Sequence, residues 1–440
     1  MLRTDILAPT DAAHLMSRGL AGPVDDDGTR RVNKLWLQNA EESMDPSAFA
    51  KVPWQLISEA TIEYLGFTPR LAAQIWRGWI NWPADGPQRE IDPEDDGLQV
   101  SFLDFVKGHV SHSIDTSEDD DSVWKRCMQH WGVATELQEA IMDRRFKYLR
   151  LNNTCVRWVR ETIKMRYAGL EDIQRASRER GQALRRAGFR PRGSNPSDSS
   201  ASHPVSRISG GHRDPFPEIS VGSCSSSSDV DTRDAPEMTF LYKAIDQARI
   251  RGVVDDKGRL NERWIHLLSE NTPSEYSGNR TMYHFTTSFE LAKYYAAYTK
   301  RRAKLETVVV VRIAIRNKAV EDMPEGMIQR IYWPDPEWKE LIWTCRTGPV
   351  PRSLLKYRDA ALIIGTMSGR VSTDRRSSSW QDISEDSVLK IDGQPAIQYA
   401  FSSEIEGQEL LVTHAARTVK VLPFLESEFH QWMDKHEPDD

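Results

Sequence analysis

The sequence has little cysteine, no long apolar run and no familiar phosphate, hydrolase or zinc motif. Its four cysteines, Cys127, Cys155, Cys224 and Cys345, are scattered among 440 residues without a C-x-x-C pair, which argues against a disulfide framework or a zinc site and favours a reducing compartment. The sequence contains no run of about 18 apolar residues, so no membrane span is predicted. The N-terminal residues lack the apolar core of a secretory signal. We therefore expect an intracellular protein, cytoplasmic or nuclear and not secreted, with no metal site and no membrane segment.

Several enzyme classes are disfavoured by missing motifs. The sequence contains no G-x-x-x-x-G-K-[ST] loop, no G-x-S-x-G elbow and no H-E-x-x-H helix, which argues against a P-loop nucleotidase, a serine esterase of the α/β-hydrolase type and a zinc protease. The sequence has enough apolar residues to form a hydrophobic core, since 39% of its residues are hydrophobic and 14 are tryptophan. A chain of 440 residues is longer than one typical core, so we expect two domains.

Charge is distributed unevenly although the formal net charge is only −7. Residues 85–122 hold twelve Asp or Glu against two basic residues, and residues 144–192 hold fifteen Lys or Arg against four acidic ones. A basic block of this kind binds nucleic acid or pairs with a neighbouring acidic block. We favour internal pairing and keep nucleic-acid binding through residues 144–192 as the alternative.

The N-terminal half has a helical pattern after a polar start. Residues 1–45 are polar and interrupted by Gly and Pro, which predicts a flexible arm. Residues 46–180 predict an all-α, Trp-rich domain. Within it, the segment 67–83 carries apolar residues at helical spacing, with Thr68 as N-cap and Pro69 in the first turn. A longer helix is predicted to follow, with an apolar side formed by Met142, Phe146, Leu149, Val156, Val159 and Ile163.

A Ser-rich segment separates the two halves. Half of the 44 residues in 193–236 are Ser, Gly or Pro, a composition that cannot bury enough apolar surface to offset the entropy of ordering. We therefore predict a disordered linker over residues 187–236, which also marks the boundary between the domains.

Residues 237–432 predict an α+β domain. Short β-rich runs read TFLYKAI, TMYHFTT, TVVVVRIAI, KELIWTC, AALIIGT, AIQYAFS and TVKVLPF, and the helix-like segment ELAKYYAAYTKRR lies between the second and the third. The run VVVVRIAI is apolar at nearly every position, as in a strand that is covered on both faces.

The order of these segments carries a resemblance to a known superfamily. The segments FLYKA, YHFTTSFELAKYYA, PEWKELIWTCR, YRDAALIIGTMSG and IQYAFSSEIEGQELL span about residues 238–425. In this order they resemble an uncharacterised domain family of the ADP-ribosyltransferase-like superfamily. The whole chain is also similar to a group of uncharacterised proteins of filamentous fungi that pair such a region with a Trp-rich helical half. The resemblance implies an α+β domain of ADP-ribosyltransferase-like type with NAD as its cofactor.

The resemblance also implies which residues bind NAD and which take part in catalysis. Transfer of ADP-ribose breaks the bond between nicotinamide and ribose through a cationic sugar, which a carboxylate stabilises. By position, the NAD-binding residues would be Lys243 on the first strand and Tyr283, Thr286 and Thr287 on the second. The catalytic position of the later strand holds Gln398.

The residues at these positions differ from the ones the chemistry prefers. Lys243 stands where a His or Arg would hold the ribose, and the amide of Gln398 cannot stabilise a cation as a carboxylate does. Glu340, or else Glu404, is the alternative acid. His284 alternates with Tyr283, so its side chain is expected on the other face of the strand.

We therefore expect a cleft that binds NAD with weak or lost transferase activity, and the sequence leaves open whether the protein is an enzyme. A non-enzymatic alternative is an interaction module whose helical domain docks a protein partner.

Overall fold

The structure is a computed structural model. It describes residues 4–34, 48–83, 85–92, 99–189, 237–250, 267–269, 275–278, 280–348, 350–369, 379–415 and 418–437. Apart from residues 187–189, the predicted linker lies outside the described residues, and so does the end of the predicted arm.

The described N-terminal half combines helices with a small sheet. Its helices are α1 (Pro9–Ser17), α2 (Glu59–Leu65), α3 (Pro69–Ile80), α4 (Phe102–Gly108), α5 (Asp121–His130), α6 (Thr135–Met142), α7 (Lys147–Arg150) and α8 (Cys155–Arg186). Its strands are β1 (Ala21–Val24), β2 (Thr29–Asn33), β3 (Phe49–Pro53), β4 (Gln88–Arg89) and β5 (Gln99–Val100). The strands β1, β2 and β3 form an antiparallel sheet in that order, so the prediction of an all-α half is wrong in this respect.

Residues 4–34, the described part of the predicted flexible arm, form regular structure and contribute side chains to the core, contrary to that prediction. Helix α1 packs against α8, and the side chains of Ile6, Leu7, Leu15 and Leu20 are buried. These residues are separated by polar and small ones, so no helical or strand period of useful length shows in the sequence. Polar contacts with the long helix α8 hold this segment in place: the hydroxyl of Ser177 accepts the backbone N–H of Ala8 at 2.9 Å, and Arg180 pairs with Asp11 at 3.3 Å.

Helix α3 forms where the sequence predicts it. It begins at Pro69 with Thr68 as its N-cap and ends at Ile80, before Pro83. The ring of Trp79 is 1% exposed and lies with its centroid 5.2 Å from that of Phe102 on α4. This tryptophan therefore belongs to the core, as its spacing predicts.

The long helix predicted from Met142 onward is interrupted. A 3-10 turn (Arg144–Phe146) and the short α7 precede a break, and α8 begins only at Cys155. Thr154 caps α8, because its hydroxyl accepts the backbone N–H of Arg157. Asn152, Asn153 and Thr154 occupy the break, and these residue types have low helix propensity because their short polar side chains can compete for backbone hydrogen bonds.

The C-terminal half is built on a mixed seven-stranded sheet. Its strands are β6 (Met238–Asp246), β7 (Met282–Thr286), β8 (Val308–Arg316), β9 (Ile328–Ile331), β10 (Leu362–Thr366), β13 (Ile397–Ser402) and β14 (Lys420–Phe424), and a separate hairpin holds β11 (Lys390–Ile391) and β12 (Gln394–Pro395). The order is β14-β8-β6-β7-β13-β10-β9, antiparallel except for β10 with β9. The described helices are α9 (Gln247–Ile250), α10 (Phe289–Arg302), α11 (Asn317–Glu321), α12 (Pro336–Thr347), α13 (Leu355–Asp359), α14 (Ile405–Ala415) and α15 (Glu426–Lys435).

Six of the seven predicted runs are strands, and the seventh is a helix. Strand β8 is covered on both faces, as expected, since Val308 and Val310 face one hydrophobic cluster and Val309 and Val311 another. The run KELIWTC lies in α12, which has Pro336 in its first turn. Its apolar residues repeat at three- and four-residue steps, so the helical period outweighs their β propensity.

The two halves pack directly on each other. The ring of Phe146 stacks on Tyr298 of α10 at 5.0 Å and on Trp432 of α15 at 5.2 Å between centroids. The guanidinium of Arg166 on α8 donates from Nε to the backbone oxygen of Arg302 at 3.0 Å. The chain is therefore a mixed α+β protein whose helical half covers one face of the large sheet.

Candidate ligand-binding cleft

The large sheet is split between two of its central strands. Strands β6 and β7 are neighbours but pair at one position, Tyr242 with Thr286, whereas β6 pairs with β8 from Met238 to Asp246. A cleft opens where β6 and β7 separate, between this part of the sheet and the helical half. Its volume is about 250 Å³, just below the range of about 300 to 1,000 Å³ typical of small-molecule sites. It therefore suits a small ligand or one end of a larger one.

Both halves of the chain form the walls. Asn152, Arg157, Trp158 and Glu161 contribute from the start of α8 and the loop before it. Helix α10 contributes Tyr295, Thr299 and Arg302. The floor is formed by β6, β7 and β13. The site therefore depends on the packing of α8 and α10 against each other as well as on the sheet.

A chain of hydrogen bonds crosses the floor. The carboxylate of Glu275 accepts a hydrogen bond from the amide nitrogen of Gln398. The amide oxygen of the same Gln398 lies 2.9 Å from Nδ1 of His284. All three residues line the cleft, and Nε2 of His284 is buried without a hydrogen-bond partner in the described part of the chain.

The carboxylate of Glu275, at the start of this hydrogen-bond chain, is mostly buried. The side chain of Glu275 is 10% exposed and lies 3.9 Å from the guanidinium of Arg346. Its other oxygen accepts the backbone N–H of Ser368. Burial raises the pKa of Glu275, and Arg346 and Ser368 act in the opposite direction.

Lys243 lies in the cleft, where it bridges the split in the sheet. Its Nζ donates to the backbone oxygen of His284 at 3.1 Å. The lysine side chain therefore satisfies a carbonyl group at a point where the two strands no longer share ladder hydrogen bonds.

Charges on the described walls favour an anion. Five cationic side chains line the cleft, namely Arg157, Lys243, Arg249, Arg302 and Arg346, against the three carboxylates of Glu161, Asp246 and Glu275. Burial raises the pKa of Asp246 to about 6, an effect that Arg249 opposes. The carboxylate of Asp246 accepts the backbone N–H of Arg249 at 2.9 Å. Near neutral pH the cations outnumber the carboxylates, so a phosphate or another anion is the kind of group this cleft attracts.

The other residues expected on the second strand differ in position. Thr286 lines the cleft, but its hydroxyl donates to the oxygen of Ile397 at 3.0 Å. Tyr283 is 1% exposed and lies in the core on the opposite face, and Thr287 is exposed outside the cleft. The alternation of a strand explains this, because neighbouring side chains point to opposite faces. His284, not Tyr283, therefore faces the cleft.

The two alternative acids lie elsewhere. Glu340 is half-buried on α12 and does not line the cleft. Glu404 is exposed beyond β13 and forms an ion pair with Arg280. Neither position can supply a carboxylate to the cleft in this structure.

Glu275 and Arg346 are among the residues of the cleft that the sequence analysis does not identify. Glu275 lies in a segment without periodicity or motif, so nothing in the sequence indicates its position. Arg346 directly follows the run KELIWTC, which is predicted as a strand, whereas the three- and four-residue period of Trp338, Leu341, Ile342 and Cys345 continues a helix through this residue.

The basic region is largely engaged within the protein. Lys147 pairs with Asp119 at 2.8 Å and Arg150 with Asp121 at 2.5 Å, both across to the acidic block. Arg180 pairs with Asp11 at 3.3 Å. These contacts lower the charge that the region can offer to a nucleic acid.

Within the described ranges, no group of three or more His, Cys, Asp or Glu is arranged to hold a metal ion, and no helix is long and apolar enough to cross a membrane. Comparison of the chain with protein-family models, with curated proteins and with solved structures found no match.

Proposed function

We propose that the C-terminal half is an ADP-ribosyltransferase-like domain whose cleft binds NAD or a related nucleotide, with weak or lost transferase activity. One observation carries the proposal: each of the five segments on which the resemblance rests contributes a lining residue to the same cleft. These residues are Lys243, His284, Arg346, Met367 and Gln398, in the order of the segments.

The composition of the cleft supports a nucleotide as the ligand. Its excess of arginine and lysine suits phosphate groups, since guanidinium binds phosphate oxygens through paired N–H donors. Tyr295 adds an aromatic ring to the wall beside these cations. Cationic side chains can bind the phosphates of a nucleotide, and the aromatic side chain can contact its ring, so the cleft fits a ligand of this kind.

The weak or lost chemistry follows from the carboxylates. The Gln398 position has an amide, and the carboxylate that contacts it in the described part of the chain, Glu275, is already hydrogen-bonded to Gln398 and to a backbone N–H, with Arg346 nearby. A carboxylate engaged in this way stabilises a cationic sugar poorly, because its charge is directed at other partners. Glu340 and Glu404, the acids expected to compensate, lie outside the cleft.

A titration of the full chain with NAD, followed by an assay for released nicotinamide, tests the proposal. We expect saturable binding with little or no release. The matched pair of variants is Glu275→Gln, inside the cleft, and Glu340→Gln, outside it. Rapid release that persists in Glu275→Gln and is lost in Glu340→Gln would show that our assignment of the acids is wrong. Absence of NAD binding would refute the proposed ligand.

A further inference from the structure

The hydrogen-bond chain on the cleft floor has a defined polarity. The amide nitrogen of Gln398 donates to one oxygen of Glu275 and the backbone N–H of Ser368 donates to the other, so Glu275 is the acceptor at this end of the hydrogen-bond chain. The amide oxygen then faces His284, whose Nδ1 lies 2.9 Å away. An amide oxygen is an acceptor, so Nδ1 of the ring carries the proton.

The polarity fixes the other side of the imidazole ring. In neutral histidine one nitrogen carries the proton and the other holds a lone pair. With the proton on Nδ1, the buried and unpartnered Nε2 of His284 is a hydrogen-bond acceptor. A buried acceptor without a partner is costly, and a ligand that donates a hydrogen bond to it removes that cost.

We propose that Glu275 is a positioning residue that sets the tautomer of His284 through Gln398, and that the cleft thereby selects ligands with a hydroxyl or N–H donor at this point. The choice of a nucleotide as that ligand rests on the proposed function, whereas the tautomer does not. Two cations favour this arrangement: Arg346 faces the carboxylate of Glu275, and the ammonium of Lys243 binds the backbone oxygen of His284.

The first test needs no ligand. Nitrogen NMR of histidine-labelled full-length protein at about pH 8 distinguishes protonated from unprotonated ring nitrogens, and His284→Phe assigns the signal. We expect the Nδ1–H form in the wild type. In Glu275→Gln the backbone N–H of Ser368 keeps the amide oxygen on its side, so the new NH₂ group donates toward Gln398. The Gln398 amide then turns over and donates to Nδ1, and the proton moves to Nε2. An unchanged tautomer in this variant would overturn the inference.

A second variant, Gln398→Met, tests the inference independently in case Glu275→Gln does not fold. Gln398→Met keeps the approximate length of the side chain and removes both of its hydrogen-bonding groups. We expect it to lose the uniform Nδ1–H form, with both tautomers present. A uniform Nδ1–H signal in this variant would mean that the tautomer of His284 is set by something other than its hydrogen bond with Gln398.

The third test measures selection through NAD affinity. We expect Glu275→Gln and His284→Phe each to weaken NAD binding roughly tenfold or more, because a ligand donor loses its acceptor. The double variant should bind no more weakly than His284→Phe, since Glu275 acts through that ring. Additive losses would indicate a merely structural role for Glu275.

The outcomes separate this inference from the proposed function. If NAD binds the wild type and neither variant changes its affinity, the selection is refuted and the proposed function stands. If NAD does not bind at all, the proposed function and the selection of a nucleotide both fail, and the NMR experiment still decides the tautomer.

Discussion

The hydroxyl of Tyr64 donates a hydrogen bond to Oε1 of Glu306 at 3.0 Å, which joins the two halves of the chain. Tyr64 lies on α2 and Glu306 between α10 and β8, and both residues are buried. The other oxygen of Glu306 accepts the backbone N–H of Lys304 at 2.6 Å. The carboxylate therefore fixes the turn before β8 and ties it to the helical half that covers the cleft.

Tyr64→Phe should lower the free energy of unfolding by about 1–3 kcal/mol, because it leaves a buried carboxylate oxygen without its donor. Denaturant unfolding followed by tryptophan fluorescence measures the change. Tyr332→Phe, at a residue that is 41% exposed, is the control and should change stability little. Equal stability of Tyr64→Phe and the wild type would show that this bond does not hold the halves together.

Stability should depend on pH through Asp246. Burial raises the pKa of this residue to about 6, while an aspartate in the unfolded chain titrates near pH 4. Between these values the folded state binds a proton that the unfolded state does not, so stability falls as pH rises from about 4 to about 6 and the loss is complete above that. The charged groups that act on this carboxyl include Arg249, Glu161, Glu306 and Lys164.

Asp246→Asn removes this titration and keeps an oxygen that can accept the N–H of Arg249. We expect the unfolding free energy of the variant, relative to the wild type, to rise by up to about 3 kcal/mol between pH 4 and pH 7. Denaturation series at several pH values provide the comparison. A difference that stays constant with pH, or shrinks as pH rises, would contradict the assigned direction.

The basic region should bind nucleic acid weakly even at low salt. Lys147 and Arg150 are paired with the acidic block, and Arg166 and Arg180 with Glu136 and Asp11, so these side chains are less able to displace counterions from phosphates. Filter binding of duplex DNA and of RNA over a salt series measures this. Tight binding that weakens steeply with salt would favour the nucleic-acid interpretation instead, since such a slope counts neutralised phosphates.

The large sheet could be predicted from the sequence because its strands are long and apolar. Strand β8, with valines from Val308 to Val311, is the clearest example. Helix α12 was harder, since Leu341, Ile342 and Trp343 form an apolar run that suits a strand as well as a helix. The N-terminal segment has no local pattern that predicts its order, because Ala8 and Asp11 are held by Ser177 of the distant helix α8.

The candidate site could be predicted only in part. Lys243, Thr286 and Gln398 lie on strands whose order the resemblance supplied, and they meet in the cleft. His284 faces the cleft in place of the predicted Tyr283, because the helical half covers the face of the strand on which His284 lies. Glu275 reaches Gln398 across 123 positions of sequence, and such contacts arise from tertiary packing, so single-sequence patterns do not reveal them.

A calorimetric titration of charge-reversed full-length variants tests most directly whether the cleft binds NAD through its cations, as we propose. Arg157→Glu places a carboxylate in the cleft wall, and Arg144→Glu makes the same change at an exposed position outside that wall. We expect the wild type and Arg144→Glu to bind NAD alike and Arg157→Glu to bind it roughly tenfold or more weakly. Equal affinity of all three proteins, or no binding by the wild type, would contradict the account.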